Sequence, residues 1–163
     1  MKFLRLILFV LVALLPTICR AKTACPWINE ATAFGVLGGS ANSPTNLSEI
    51  SPTTCNFTYK DTAASRNLLI TVEVMKVPGQ AIKSYEARCT RSMNPLRAIG
   101  NEAVMCETDR KGYIYGEQII GRVRDSVFTI SMSTSAENDP SMAREALEQK
   151  VKLVAEQVAG NLF

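Results

Sequence analysis

The sequence predicts an α+β domain: an antiparallel sheet of about five strands with helices packed on one face. Three observations predict it. A long apolar stripe at helical spacing closes the chain, five short alternating or branched runs precede it, and an even set of cysteines lies among them. Runs of period two joined by turn residues pair antiparallel, and a sheet solvated on one side takes its helices on the other.

The elements follow in the order α-β-β-α-β-β-β-α. In Pro26–Leu37, Trp27, Ala31, Phe34 and Leu37 recur near helical spacing, and Gly38-Gly39 supplies a left-handed stop. Cys55–Lys60 alternates as a short strand. Leu68–Lys76 is rich in branched residues and forms a hairpin with it around Asp61–Ser65. After the Pro78-Gly79 turn, Gln80–Cys89 sets Ile82, Tyr85 and Cys89 on one side of a second helix, and Met93–Asn101 reads as irregular. Three strands come next: Ala103–Thr108, Tyr113–Val123 and Val127–Thr134. The turns between them are Asp109–Gly112 and Arg124-Asp125. The last helix has Asp139 as its cap, Pro140 in its first turn, the stripe Leu147, Val151, Val154, Val158, and Gly160 as its end.

The chain opens with two positive charges, Lys2 and Arg5. The unbroken apolar run Leu6–Leu15 follows, then Pro16 and the small-x-small step Cys19-Arg20-Ala21. That order predicts a secretory signal peptide over residues 1–21, a mature chain starting at Lys22, and a single domain over 22–163 that is periplasmic or secreted. Two readings compete. A retained anchor needs about 20 apolar residues. Lipidation at Cys19 asks for a small residue where Ile18 stands. No later stretch approaches spanning length.

Lys2, Arg5 and Arg20 account for the whole excess of 18 basic over 15 acidic residues. The mature chain is therefore neutral, with scattered bases, which argues against nucleic acid as a partner. Gly38–Pro52, rich in Ser, Asn, Pro and Thr, reads as a surface loop.

Four cysteines remain after the leader: Cys25, Cys55, Cys89 and Cys106. An even number in an exported domain predicts bridges, and four allow three pairings. Cys25–Cys55 with Cys89–Cys106 is favoured because each pair joins neighbouring elements. A redox site would need a closer pair, and no histidine exists to activate a thiolate.

Other chemistry finds little support. Without histidine, and without paired cysteines, no metal or cofactor is expected. Gly35–Gly39 follows a helix rather than opening one, so it is no phosphate loop. Glu102, Glu107 and Asp109 lie close together and form a candidate acid–base set; the alternative is a solvated strand end. Arg122 and Arg124, placed opposite Glu117 on a hairpin, are candidates for an anionic partner or for ordinary ion pairing. Trp27 beside Cys25 is either a ligand platform or a core plug. Asn46-Leu47-Ser48 and Asn56-Phe57-Thr58 match the glycosylation pattern.

Several short motifs are shared with a known group. Cys25-Pro26-Trp27 opens a helix ending in Leu37-Gly38-Gly39, Cys55-Asn56-Phe57 follows, and Ile99-Gly100-Asn101-Glu102-Ala103 precedes a strand. The pattern resembles the actinobacterial secreted and lipoprotein family of unknown function, as does the hairpin Gly121-Arg122-Val123-Arg124-Asp125. The chain departs from it at Asn101, where Asp is usual, and at the poor lipidation site. The resemblance implies a fold and the first bridge, and no activity.

These observations point to an exported, non-enzymatic envelope protein that binds a small ligand or a protein partner. The alternatives are a secreted hydrolase inhibitor acting through the 38–52 loop and a carboxylate-dependent enzyme.

Overall fold

A computed structural model describes residues 25–40, 52–90, 93–108, 113 and 115–163. Among the described residues three α-helices, α1 (Glu30–Leu37), α2 (Pro78–Glu86) and α3 (Arg144–Leu162), accompany six strands. The strands are β1 (Thr53–Lys60), β2 (Ser65–Val74), β3 (Asn94–Leu96), β4 (Glu102–Glu107), β5 (Tyr115–Val123) and β6 (Ser126–Thr134). They form one antiparallel sheet in the order β1-β2-β6-β5-β4-β3. The expected α+β class and antiparallel sheet are therefore present. The expected leader, and the turn at 109–112, lie outside the described residues.

Local chemistry sets the turns. Asp61 Oδ1 accepts from the amides of Ala63 (2.7 Å) and Ala64 (2.8 Å), which folds the β1–β2 hairpin. The β5–β6 turn has Arg124 in the left-handed region at φ 55°. It places Val123 against Ser126, and the register then runs to Tyr115 against Thr134.

One face of the sheet, here face one, carries the core. Phe57, Leu68, Ile70, Met105, Ile119, Phe128, Ile130 and Met132 point to α1 and α3. The stripe Leu147, Val151, Val154, Val158 faces them and is fully buried. At about 1.5–3 kcal/mol for each large apolar side chain buried, this face dominates the folding energy. Gly121 leaves the space that the Phe128 ring occupies: a Cβ there would lie 2.3 Å from the ring.

Four expectations are corrected. The first helix starts at Glu30 rather than Pro26, because the Asn29 side chain accepts from the Thr32 amide at 2.8 Å and caps it. Cys25, Trp27 and Ile28 are instead buried ahead of it. Gly38, at φ 81°, ends it as expected. Next, Asn94–Leu96 is a sixth strand; its three residues are too few to show alternation, and Pro95 is tolerated at a sheet edge. Asp139 caps a short 3₁₀ turn, Pro140–Met142, and α3 begins only at Arg144 and runs past Gly160.

Finally, the helices do not share one face. Ile82 of α2 packs with Cys106 and Ile120, and Tyr85, Cys89 and Val104 flank them. These sheet residues alternate with Met105 and Ile119 of the main core, so α2 covers the opposite side, face two. The physical reason lies in β4 and β5. Val104-Met105-Cys106 and Ile119-Ile120 are continuous apolar runs, as strands buried on both sides are.

Both favoured bridges are present. Cys25–Cys55 joins the segment before α1 to β1 in the main core, and Cys89–Cys106 joins the segment after α2 to β4 on face two. They close 30 and 17 residues. Loop-closure entropy assigns each about 3 kcal/mol.

Candidate functional site

The candidate residues fall into three places. Trp27 is 7% exposed in the main core, and its carbonyl accepts from Asn161 Nδ2 at 2.6 Å. It borders an open cleft of about 280 Å³ between Cys25–Asn29 and the last turns of α3 at Gln157 and Asn161.

Arg122 and Arg124 sit at the β5–β6 tip, and Arg122 is not opposite Glu117. It pairs across the strands with Glu102, Nε to Oε1 at 2.5 Å, and its Nη1 donates to the Arg124 carbonyl at 3.0 Å. The Arg124 amide donates to Asn101 Oδ1 at 2.7 Å, and the Asn101 amide donates to the Arg122 carbonyl at 2.7 Å. The Arg124 guanidinium lies over the Phe163 ring at 5.9 Å. Gly100 has φ 64°, and a Cβ on it would meet the Arg122 carbonyl oxygen at 2.4 Å. The Ile99–Ala103 motif and the Gly121–Asp125 motif therefore dock on each other. An Asp at 101 would accept the same Arg124 amide, so that substitution would keep the joint.

The candidate carboxylates do not assemble as expected. Glu102 and Glu107 lie at opposite ends of β4 and point to opposite faces, and Asp109 lies outside the described residues. The pair that forms is Glu107 with Glu117, directly opposite on β4 and β5. Glu117 is 2% exposed and accepts from the Tyr115 hydroxyl at 2.9 Å. Arg144, the first residue of α3, bonds Glu107, and its Nε lies 3.7 Å from Glu148 Oε1. Burial pushes the Glu117 carboxyl above its ordinary range. The Tyr115 bond and Arg144 oppose that shift, while Glu148 and Glu107 add to it. Burial likewise raises Tyr115, and the bond to Glu117 adds to it. Sequence reasoning missed this group, although a signal existed: 117, 119, 121 and 123 share one face, so Glu117 belongs to the core side. Chemically the group holds a proton readily. Among the described residues no set of His, Cys, Asp or Glu is arranged to hold a metal.

A third surface is the part of face two on β1, β2 and β6. Asn56, Thr58, Thr71 and Thr129 are half-buried there, with Asn67 and Ser131 buried among them. All are uncharged. Asn67 Nδ2 donates to Asn56 Oδ1 at 2.6 Å, so that glycosylation-pattern residue is bonded within the sheet. Asn46 of the other pattern is outside the described residues.

No family model, curated protein or solved structure matches the chain. No described helix is long and apolar enough to cross a membrane. Of the 38–52 loop, only Gly38–Ser40 and Pro52 are described.

Proposed function

We propose that the chain is an exported, cystine-clamped, non-enzymatic binding protein of the periplasm or cell exterior. Its contact surface is the neutral part of face two, around Thr71 and Thr129. The supporting observation is the change of chemistry across that face. It is apolar beneath α2, which lies on β5 and β6 and reaches Glu73 of β2 through Tyr85, and farther along the sheet it carries, around Leu69, the uncharged hydrogen-bonding side chains of Asn56, Thr58, Thr71 and Thr129. Such a surface suits a neutral partner, a peptide or a saccharide, that supplies its own donors and acceptors. The leader-like residues 1–21 and the two bridges support export, since bridges persist where thiols oxidise.

Two measurements test the reading. N-terminal sequencing of the purified protein should begin at Lys22 with no alkylatable thiol; recovery from cytosol with Met1 and four free thiols would defeat it. Peptide and glycan arrays should yield a ligand that Thr71→Arg abolishes while the melting temperature holds. A ligand bound equally well by that variant would move the contact surface elsewhere.

The Cys25–Cys55 bridge favours a second reading, a hydrolase inhibitor. It fastens the segment before α1 to the start of β1, and so restrains both flanks of the 38–52 loop. Inhibition of a lysozyme or protease by the purified protein would select this reading, and none across a panel would discard it.

A further inference from the structure

The two bridges differ in what they hold and in how far solvent reaches them. Cys25 and Cys55 are 8% and 0% exposed inside the main core. Cys89 is half-exposed, while its partner Cys106 is 2% exposed. The helix ahead of Cys89 has little else to hold it. Ile82 is the one buried residue of α2, and Val77 caps it without a side-chain hydrogen bond. The Tyr85 hydroxyl adds a bond to Glu73 at 3.1 Å, and Val77, next to the helix, is 55% exposed. Burying one aliphatic side chain contributes about as much as the loop-closure entropy of the bridge itself. Face one has no such dependence, since α3 buries six residues there.

We infer that the Cys89–Cys106 bridge is a redox latch: a dithiol reductant opens it and frees α2 from face two, while the Cys25–Cys55 core stays folded. The chemistry runs through Cys89, the less buried of the two residues. A thiolate of the dithiol attacks Sγ of Cys89, the protein S–S bond breaks, and Cys106 leaves as a thiolate that takes up a proton. The second thiol of the reductant then displaces Cys89, which leaves as a thiol, and the reductant closes to its cyclic disulfide. Two electrons and two protons pass to the protein. Without the bridge, α2 keeps only the Ile82 packing, the Tyr85–Glu73 bond and a few half-buried neighbours on β5 and β6, and its departure uncovers Ile120, Val104 and Cys106. The latch operates whether or not face two carries a partner.

Dithiothreitol titration of the folded full-length protein, with alkylation, peptide mapping and hydrogen exchange, tests this. Cys89 and Cys106 should alkylate first, with Cys25 and Cys55 still bridged. Exchange protection over 78–86 should then fall by about tenfold or more while α3 changes by less than about twofold, as for a local opening. Cys89→Ser with Cys106→Ser should show the same loss in the oxidised state. The inference is overturned if all four thiols appear together, if α2 is unprotected before reduction, or if α2 stays protected after it.

Discussion

Two neighbouring rows of face one treat an arginine and a carboxylate in opposite ways. In the first row, Tyr59, Arg66, Thr134 and Tyr115 stand side by side across β1, β2, β6 and β5. Arg66 reaches Asp139 with two bonds, Nε to Oδ2 at 2.6 Å and Nη2 to Oδ1 at 2.8 Å, and donates to the Leu37 carbonyl at 3.0 Å. Asp139 also accepts from the Thr134 hydroxyl at 2.9 Å and the Ser141 amide at 3.0 Å. Burial works to raise that carboxyl, and these bonds outweigh it and hold Asp139 below its ordinary range. The next row runs Phe57, Leu68, Met132, Glu117, Glu107. There three carboxylates, Glu107, Glu117 and Glu148, gather around Arg144, and Glu117 moves the other way. Burial alone does not decide the charge state. The number of donors brought to each buried carboxylate does.

The largest effect should come from breaking the satisfied row. Asp139→Ala leaves Arg66, 6% exposed, without its buried counter-charge, with only the more exposed Asp61 at 3.7 Å remaining, and removes the cap on the 3₁₀ turn before α3. Unpairing a buried ion costs about 3–5 kcal/mol, so the urea midpoint should drop steeply. A loss below about 1 kcal/mol, the range of a surface pair, would show that Arg66 finds water instead. Arg66 joins β2 to the turn into α3 through this carboxylate and to α1 through the Leu37 carbonyl, so the loss should be global and cooperative.

A smaller effect, of opposite sign, is expected at Glu117. Its folded pKa is raised, so its favourable contribution is complete below the unfolded value and fades as pH rises through the folded one. Asp139 behaves in reverse: its contribution is present above the unfolded value and lost as pH falls through the folded one. Glu117→Gln is neutral at every pH. It should match the parent in acid, below about pH 4 where glutamates protonate. Near neutrality it should exceed the parent by about 0.2–1 kcal/mol, the range for like charges facing across strands. Urea midpoints from pH 3 to 8 measure this, and a variant weaker than the parent at pH 7 would show that the Tyr115 bond outweighs the repulsion.

How much of this was legible depends on how far apart the interacting residues are. The α3 stripe and both hairpin turns are local patterns, and Leu147 through Val158 can be read from spacing alone. The first helix was extended to Pro26 because Asn29 looks like any other asparagine until its side chain is seen to cap. Glu117 does not stand against Arg122 because the two lie five residues apart on one strand, so alternation sends them to opposite faces of the sheet. The face-two helix was missed because an apolar pair such as Ile119-Ile120 reads as one strong strand, although its two side chains go to different layers. Asp139 was recognised as a cap, but its bond with Arg66 spans 73 residues, and nothing in the local pattern announces it.

The smallest effect should come from Arg144→Ala. Its side chain is 56% exposed, and its partners Glu107 and Glu148 are 16% and 31% exposed. Solvent screening leaves such pairs little net stabilisation. A cation in the first turn of a helix also opposes the helix dipole. The two contributions nearly cancel in α3, so the urea midpoint at pH 7 should barely move. The informative quantity is the coupling. Arg144 holds the Glu117 carboxyl down, so its loss lets that carboxyl rise further and steepens the decline in stability above pH 4. In the Glu117→Gln background that steepening should vanish. If it persists there, Glu107 and Glu148 carry the pH response, and the contrast between the two rows rests on the surface pair rather than on the buried carboxylate.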